Sequence, residues 1–296
     1  MAPSFSGNVL NNYDTKIGKF SKIGLQDEGC PPGMVPIMKI KSNRLRNEYS
    51  HSKYHSKNFT DDNPSQQYAT YHTKSKNRIN HGARAIFSLN NPSVEMGQYS
   101  MAQIWVQNGQ FNGLESIQVG WAVDPVLYGG DTRTRITTFW TVDNFGNTGC
   151  FNTECPGFVQ VHPRLHPGSL FANDKTSGHW WFTLDNQKIG YWPKNLFTLL
   201  ANEARFFQFG GEVYRNINKP CPPMGNGHFP SRVVKESSYF VQMQSVSPAY
   251  NLFDIDPIIM DKSVTSVGYD LVPWGNQRGE LKVTMTYGGP GGNCGQ

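Results

Sequence analysis

From Tyr68 onward, short strand-like runs recur with a turn signal after almost every one. Residues 83–89, 100–106, 116–123, 135–142, 157–161, 180–184, 188–191, 205–209, 239–246 and 281–287 each carry β-branched and aromatic residues at strand length. Asn90-Asn91-Pro92, Asn108-Gly109, Asn112-Gly113, Gly129-Gly130 and Asp185-Asn186 separate them. About ten strands at such spacing predict an all-β body. The expected form is an antiparallel sandwich of two stacked sheets whose bent face offers a concave cleft. A chain with 30 Gly, 19 Pro and 13% aromatics has the turns and the bulk for that architecture. One segment breaks the pattern. Pro193–Ala204 has proline near its start and Leu196, Leu199, Leu200 and Glu203 at helical spacing, which predicts one short helix.

The first 67 residues read differently. They are poor in apolar periodicity and rich in Ser, Asn, Lys and His, which predicts a mostly irregular segment. Residues 1–80 hold 12 Lys/Arg against 6 Asp/Glu, and residues 81–296 hold 15 against 16. The basic charge therefore belongs to the leading segment and reads as a solvated linker. With no basic stripe or reader motif on the main body, no nucleic-acid partner is expected. No apolar run reaches the length of a membrane span, so no membrane partner is expected either, and no signal peptide stands at the start. The polar stretch from Lys53 to Gln67 suits proteolytic nicking. Asn58-Phe59-Thr60 is a glycosylation candidate, relevant in a secreted chain.

Five cysteines are present: Cys30, Cys150, Cys155, Cys221 and Cys294. Cys150 and Cys155 can clip a hairpin as a local disulfide in an oxidising compartment. Zinc is the rival reading, and its further ligands are missing. His162 and His166 have the spacing, but Pro163 and Pro167 forbid the helix that would present them. The odd count leaves at least one thiol unpaired or awaiting a partner chain. No cofactor and no metal are expected. Trp180, Trp181 and Trp192 could line a sugar or proline groove, although the area they bury favours the core.

Two runs carry the candidate chemistry. In Ser116-Ile117-Gln118-Val119-Gly120-Trp121, strand alternation puts Ile117, Val119 and Trp121 on one face and Gln118 and Gly120 on the other. Glu115 shares the side of Ile117 and cannot replace residue 118. In Phe209-Gly210-Gly211-Glu212-Val213-Tyr214, two glycines leave room beside the Glu212 carboxylate. A carboxylate in a cleft can take a proton from water, and a neighbouring amide can steady the oxyanion on an attacked carbonyl. The plain alternative is a structural Glu–Gln hydrogen bond. No Gly-x-Ser-x-Gly elbow and no phosphate loop compete.

These runs resemble the neprosin family of plant secreted proteins. Gln103-Ile104-Trp105-Val106, Ser116–Trp121, Thr148–Phe158, Gly178–Trp181, Gly190–Pro193, Gly210–Val213, Gly225–Pro230 and Tyr287–Asn293 carry the likeness, in order. The resemblance implies a β-sandwich glutamic endopeptidase made as a zymogen, active in acid and cleaving after proline; its expected partner is a proline-containing peptide or protein substrate, and the expected state is a monomer. It implies that residues 1–67 hold the end of an activation peptide and a linker, that 68–296 are the catalytic domain, and that the product is secreted. It implies that Cys150 pairs with Cys155. Of the family's two glutamates, Glu212 matches the second and Gln118 stands at the first. A fungal glutamic peptidase family on a comparable sandwich pairs Glu with Gln, which implies Glu212 as base and Gln118 as oxyanion partner. The alternative is a catalytically silent relative that binds peptide or cell-wall polymer in the same cleft. The family's cysteine before Tyr-Asp is replaced by Gly268 ahead of Tyr269-Asp270, so Cys294 loses the partner the resemblance implies, and Cys221 can substitute only if their Cα atoms come within about 7 Å.

Overall fold

The computed structural model describes Met34 and residues 65–294, apart from 75–77, 111–112, 163–168, 174–176, 185–186 and 217–218. The expectations that fall on Cys30, on Asn58 and on the stretch 53–64 lie outside the described residues.

The described strands form two antiparallel sheets. One runs in the order β14 (Met260–Val264), β1 (Gln66–Thr73), β11 (Phe206–Tyr214), β3 (Tyr99–Asn108), β4 (Glu115–Val123), β5 (Arg135–Thr141) and β6 (Cys150–Phe151). The other runs β15 (Asp270–Gln277), β16 (Lys282–Gly288), β12 (Ser238–Val246), β2 (Gly82–Phe87), β8 (Ser169–Asn173), β9 (Trp180–Leu184), β10 (Gln187–Trp192) and β7 (Val159–Gln160). A short strand, β13 (Leu252–Asp254), also pairs with β12. The all-β sandwich is thus the architecture.

Alternation explains how the sheets meet. Ala69 and Tyr71 of β1, Ile104 and Val106 of β3, Ile117, Val119 and Trp121 of β4, and Phe207, Phe209 and Val213 of β11 enter one apolar core. They meet Phe182, Ile189, Phe240, Met243, Val283 and Met285 of the second sheet there. Trp180 and Trp192 belong to that core. Trp181 lies half-buried and packs on Tyr191 with ring centroids 4.8 Å apart. On the outer face of the first sheet, Met101, Ala122 and Phe139 form a second cluster with Leu127, Tyr128, Phe145 and Phe151.

The short helix expected over Pro193–Ala204 is absent. Only a single 3-10 turn forms, at Lys194–Leu196. The backbone N–H groups of Thr198, Leu199 and Leu200 donate instead to the Glu115 carboxylate, at 2.8, 2.9 and 2.7 Å. A buried carboxylate offers these amides a charge-assisted bond that a helical carbonyl cannot match. Asn108 adds a bond from Nδ2 to the Glu203 carbonyl at 2.8 Å. The segment is a loop tied down by β3 and β4.

Two bridges close the described cysteines. Cys150 pairs with Cys155, and Cys221 pairs with Cys294 with Cα atoms 6.0 Å apart. Cys221 therefore takes the place that the sequence left open. The first strand begins at Gln66, so the expected boundary between residues 67 and 68 falls inside β1. Gln66 and Gln67, which close the polar stretch read as a linker, are buried there.

Candidate active site

The outer face of the first sheet is polar along its middle. Direct cross-strand partners share a face, so the register fixes the rows. Glu212 of β11 pairs with Tyr68 of β1 and with Met101 of β3, and Met101 pairs with Ala122 of β4. One step of alternation away, Gly210 pairs with Gln103, and Gln103 pairs with Gly120. A further step away, Gln208 pairs with Trp105, and Trp105 with Gln118. Glu212 and Gln118 therefore stand on the same face. The strand β3 lies between them, and they are offset along it.

Glu212 is 1% exposed. Tyr99 donates its hydroxyl to Oε1 at 2.5 Å, and Gln66 donates Nε2 to the same oxygen at 3.3 Å. Gln66 Nε2 also lies 3.0 Å from the Tyr99 hydroxyl. The other carboxylate oxygen, Oε2, accepts from Gln103 Nε2 at 3.5 Å. Burial pushes the Glu212 carboxyl from 4.5 up to about 7, against the opposing pull of the Tyr99 and Gln66 bonds. Burial likewise raises Tyr99 and Tyr68 well above the usual phenol value, and the Glu212 charge adds to it in both. Both phenols therefore keep their protons at neutral and acid pH.

Gln118 is also 1% exposed. Its Nε2 donates to Ser116 Oγ at 3.5 Å, and Ser116 Oγ accepts from Gln107 Nε2 at 3.2 Å. Gln107 Oε1 accepts in turn from Gln208 Nε2 at 3.1 Å. Gln118 thus ends a chain of amides that crosses β11, β3 and β4. Its Oε1 is buried with no hydrogen-bond partner, and so is Oε1 of Gln103.

The glycines beside this site are dictated by the backbone. A Cβ on Gly120 would lie 1.8 Å from the Ala102 carbonyl oxygen, and one on Gly210 would lie 2.1 Å from that of Ala69. Gly210 also holds φ +155. Gly211 faces the core, where a Cβ would meet Met224 Sδ at 2.5 Å. Only Gly210 of this pair lies on the face of Glu212.

Tyr99, Gln66, Tyr68 and Gln103 surround the carboxylate and were not given roles from the sequence. Gln103 had a readable signal, being a polar residue within the apolar run Met101–Val106. Gln66 and Tyr68 had little, because the strand that carries them is polar. Glu115, set aside by parity, is a structural anchor. Among the described residues no group of three or more His, Cys, Asp or Glu could hold a metal ion.

The site is a buried carboxylate among amide and phenol donors on the outer face of one sheet of a two-sheet sandwich. The model of one family, Neprosin, matches residues 96–290, about two thirds of the chain. The chain belongs to the neprosin family.

Proposed function

We propose that the protein is a glutamic-type endopeptidase that hydrolyses proline-containing peptides, after proline and at acid pH. Glu212 acts as the general base toward water, and Gln118 is the amide that stabilises the oxyanion. The segment ahead of β1 acts as the end of an activation peptide and a linker, and the product is secreted. The observation that carries this reading is the Glu212 carboxyl, buried and held by three side-chain donors on a polar sheet face. Two disulfides support an oxidising destination. No helix among the described residues is long and apolar enough to cross a membrane.

The raised Glu212 carboxyl sets a condition on the chemistry. A neutral carboxyl cannot take a proton from water. Below about 7 the buried group is mostly neutral. The base role therefore requires water and substrate to reach the face, which lowers the group toward its ordinary range. Once ionised, it removes a proton from water as the oxygen attacks the scissile carbonyl.

The alternative is a silent relative that binds peptide or cell-wall polymer at the same face. The amide at residue 118, where the family pattern has a carboxylate, favours it. Incubation of the full chain at acid pH with a proline-containing peptide separates the two. Cleavage by the wild type, with a loss of about 10²–10⁴-fold in Glu212→Gln, is the result expected of the peptidase. An inert wild type with an active Gln118→Glu would establish the silent relative. No cleavage by either would remove the peptidase reading.

A further inference from the structure

The outer face of the second sheet carries a side-chain cluster that the proposed reaction leaves unused. In β9, Trp180 and Phe182 enter the core, so alternation turns Trp181 outward. Trp181 pairs directly with Tyr191 of β10, and Tyr191 pairs with Val159 of the edge strand β7. The side chains stack in order along this row. Lys188 Nζ lies 4.7 Å from the centre of the Trp181 ring. Trp181 packs on Tyr191 with centroids 4.8 Å apart, and Tyr191 stacks on His179 at 5.0 Å with an interplanar angle of 5°. Lys194 comes next. Its backbone N–H donates to His179 Nδ1 at 3.2 Å, and its side chain lies over Gly178. Three rings in a row therefore have a lysine at each end.

The chemistry of the row is one-sided. Rings whose faces turn on one another leave their edges for a ligand, and aromatic edges carry positive potential. Among the described residues, the Trp181 indole N–H, the Tyr191 hydroxyl and both ammonium groups have no hydrogen-bond or ion-pair partner. His179 accepts at Nδ1, which leaves the proton of its neutral ring on Nε2 as a further donor. The strands β7, β8, β9 and β10 contain no Asp or Glu. Donors without acceptors select an acceptor-rich, anionic ligand. Two cations set among neutral donors suit a polymer with one carboxylate per ring and hydroxyls between. A nucleic acid would want a denser basic surface, and residues 81–296 hold 15 Lys/Arg against 16 Asp/Glu. Val159, 37% exposed, offers an apolar contact to the C–H groups of a sugar ring.

We propose that this row is a second binding site, for an acidic polysaccharide built of uronic acid residues. Carboxylates of the polymer accept from Lys188 and Lys194, and its hydroxyl oxygens accept from Trp181, Tyr191 and His179. The row lies on the far side of the sandwich from Glu212. The protein can therefore hold such a polymer while a peptide occupies the other face. The site does not depend on the peptidase reading, because a protein inert toward peptides would bind the polymer equally well.

The test is calorimetric titration of the full chain at about 0.15 M salt, with polygalacturonate as the probe. Polygalacturonate should bind, its fully methyl-esterified form should bind at least about tenfold more weakly, and neutral dextran should not bind. Lys188→Gln combined with Lys194→Gln should weaken binding about tenfold. Trp181→Phe keeps a ring in the stack and removes the indole N–H, and should weaken binding about threefold to tenfold. Lys235→Gln, an exposed lysine elsewhere, should change nothing. Near-UV circular dichroism of the lysine variants should match the wild type, since they leave the rings in place. A double lysine variant that binds like the wild type would overturn the proposal and move the binding to another basic segment. Equal binding of the acid and esterified polymers would also overturn it. Binding to phosphatidylserine vesicles with none to polygalacturonate would make the face a membrane contact instead.

Discussion

At the scale of the residue, two carboxyls raised by burial shape how this protein answers pH. Glu212 is raised to about 7 by burial. Asp124 is also raised to about 7 by burial, although the N–H groups of Val126 and Leu127 donate to its Oδ1. A carboxyl raised on folding keeps its proton where the unfolded chain has lost it. Folding then takes up a proton, so stability falls as pH rises from the ordinary carboxyl value through the folded one. The full contribution is present below the ordinary value. A rise from 4.5 to about 7 in Glu212 corresponds to about 3 kcal/mol. Urea melts of the wild type should therefore weaken between about pH 4.5 and 7. Glu212→Gln should remove about 3 kcal/mol of that slope and keep the part due to Asp124. An unchanged slope in the variant would show that Glu212 is hydrated and ordinary. The same physics links stability to the proposed work, since the face that keeps Glu212 neutral is also the face that must admit water.

At the scale of the element, the sequence reading succeeded where one face of a strand was apolar and failed where polar chemistry replaced that pattern. Strands β3, β4 and β9 were legible because their alternation is driven by the core. Gln118 was rightly placed opposite Ile117, Val119 and Trp121 by the same rule. The strand β1 was hidden because its outer residues Gln66, Tyr68, Thr70 and His72 are polar, leaving Ala69 and Tyr71 as the apolar signal. Its concealment removed two neighbours of Glu212 from view. The edge strand β15 was hidden by Pro273 and Gly275, which sit at a break in its register with β16. The false helix has a single cause. Leu196, Leu199 and Leu200 have helical spacing, but local spacing carries no information about a carboxylate eighty residues upstream. Glu115 takes three amides that a helix would have used or left to water. Glu115→Ala should therefore lower stability by at least about 3 kcal/mol, read as a shifted denaturant midpoint, because buried amides lose a charged acceptor. A shift below about 1 kcal/mol would mean that water replaces the carboxylate.

At the scale of the whole molecule, the register between strands decides what sequence motifs only suggest. The two runs that first looked like a facing pair share one face, yet β3 lies between them and carries the amide of Gln103, not that of Gln118, to Glu212. No local pattern fixes that, because it depends on how β3, β4 and β11 slide past one another. The Cys221–Cys294 bridge is a second long-range feature. It was conditional in the sequence and became plain only when the fold brought the Cα atoms to 6.0 Å. It closes 73 residues of chain. Cys221→Ser should cost about 2–4 kcal/mol, read in the same melts, although the backbone bonds between Cys221 and Gly292 hold the ends without it. The closed segment contains β12, β13, β14, β15 and β16, so it spans parts of both sheets. Covalently it is a ring. A single cut between residues 222 and 293 would leave every fragment attached, and the nicked molecule would migrate as one band until a reductant opened it. Gels of this protein run with and without thiol therefore report different histories of the same sample.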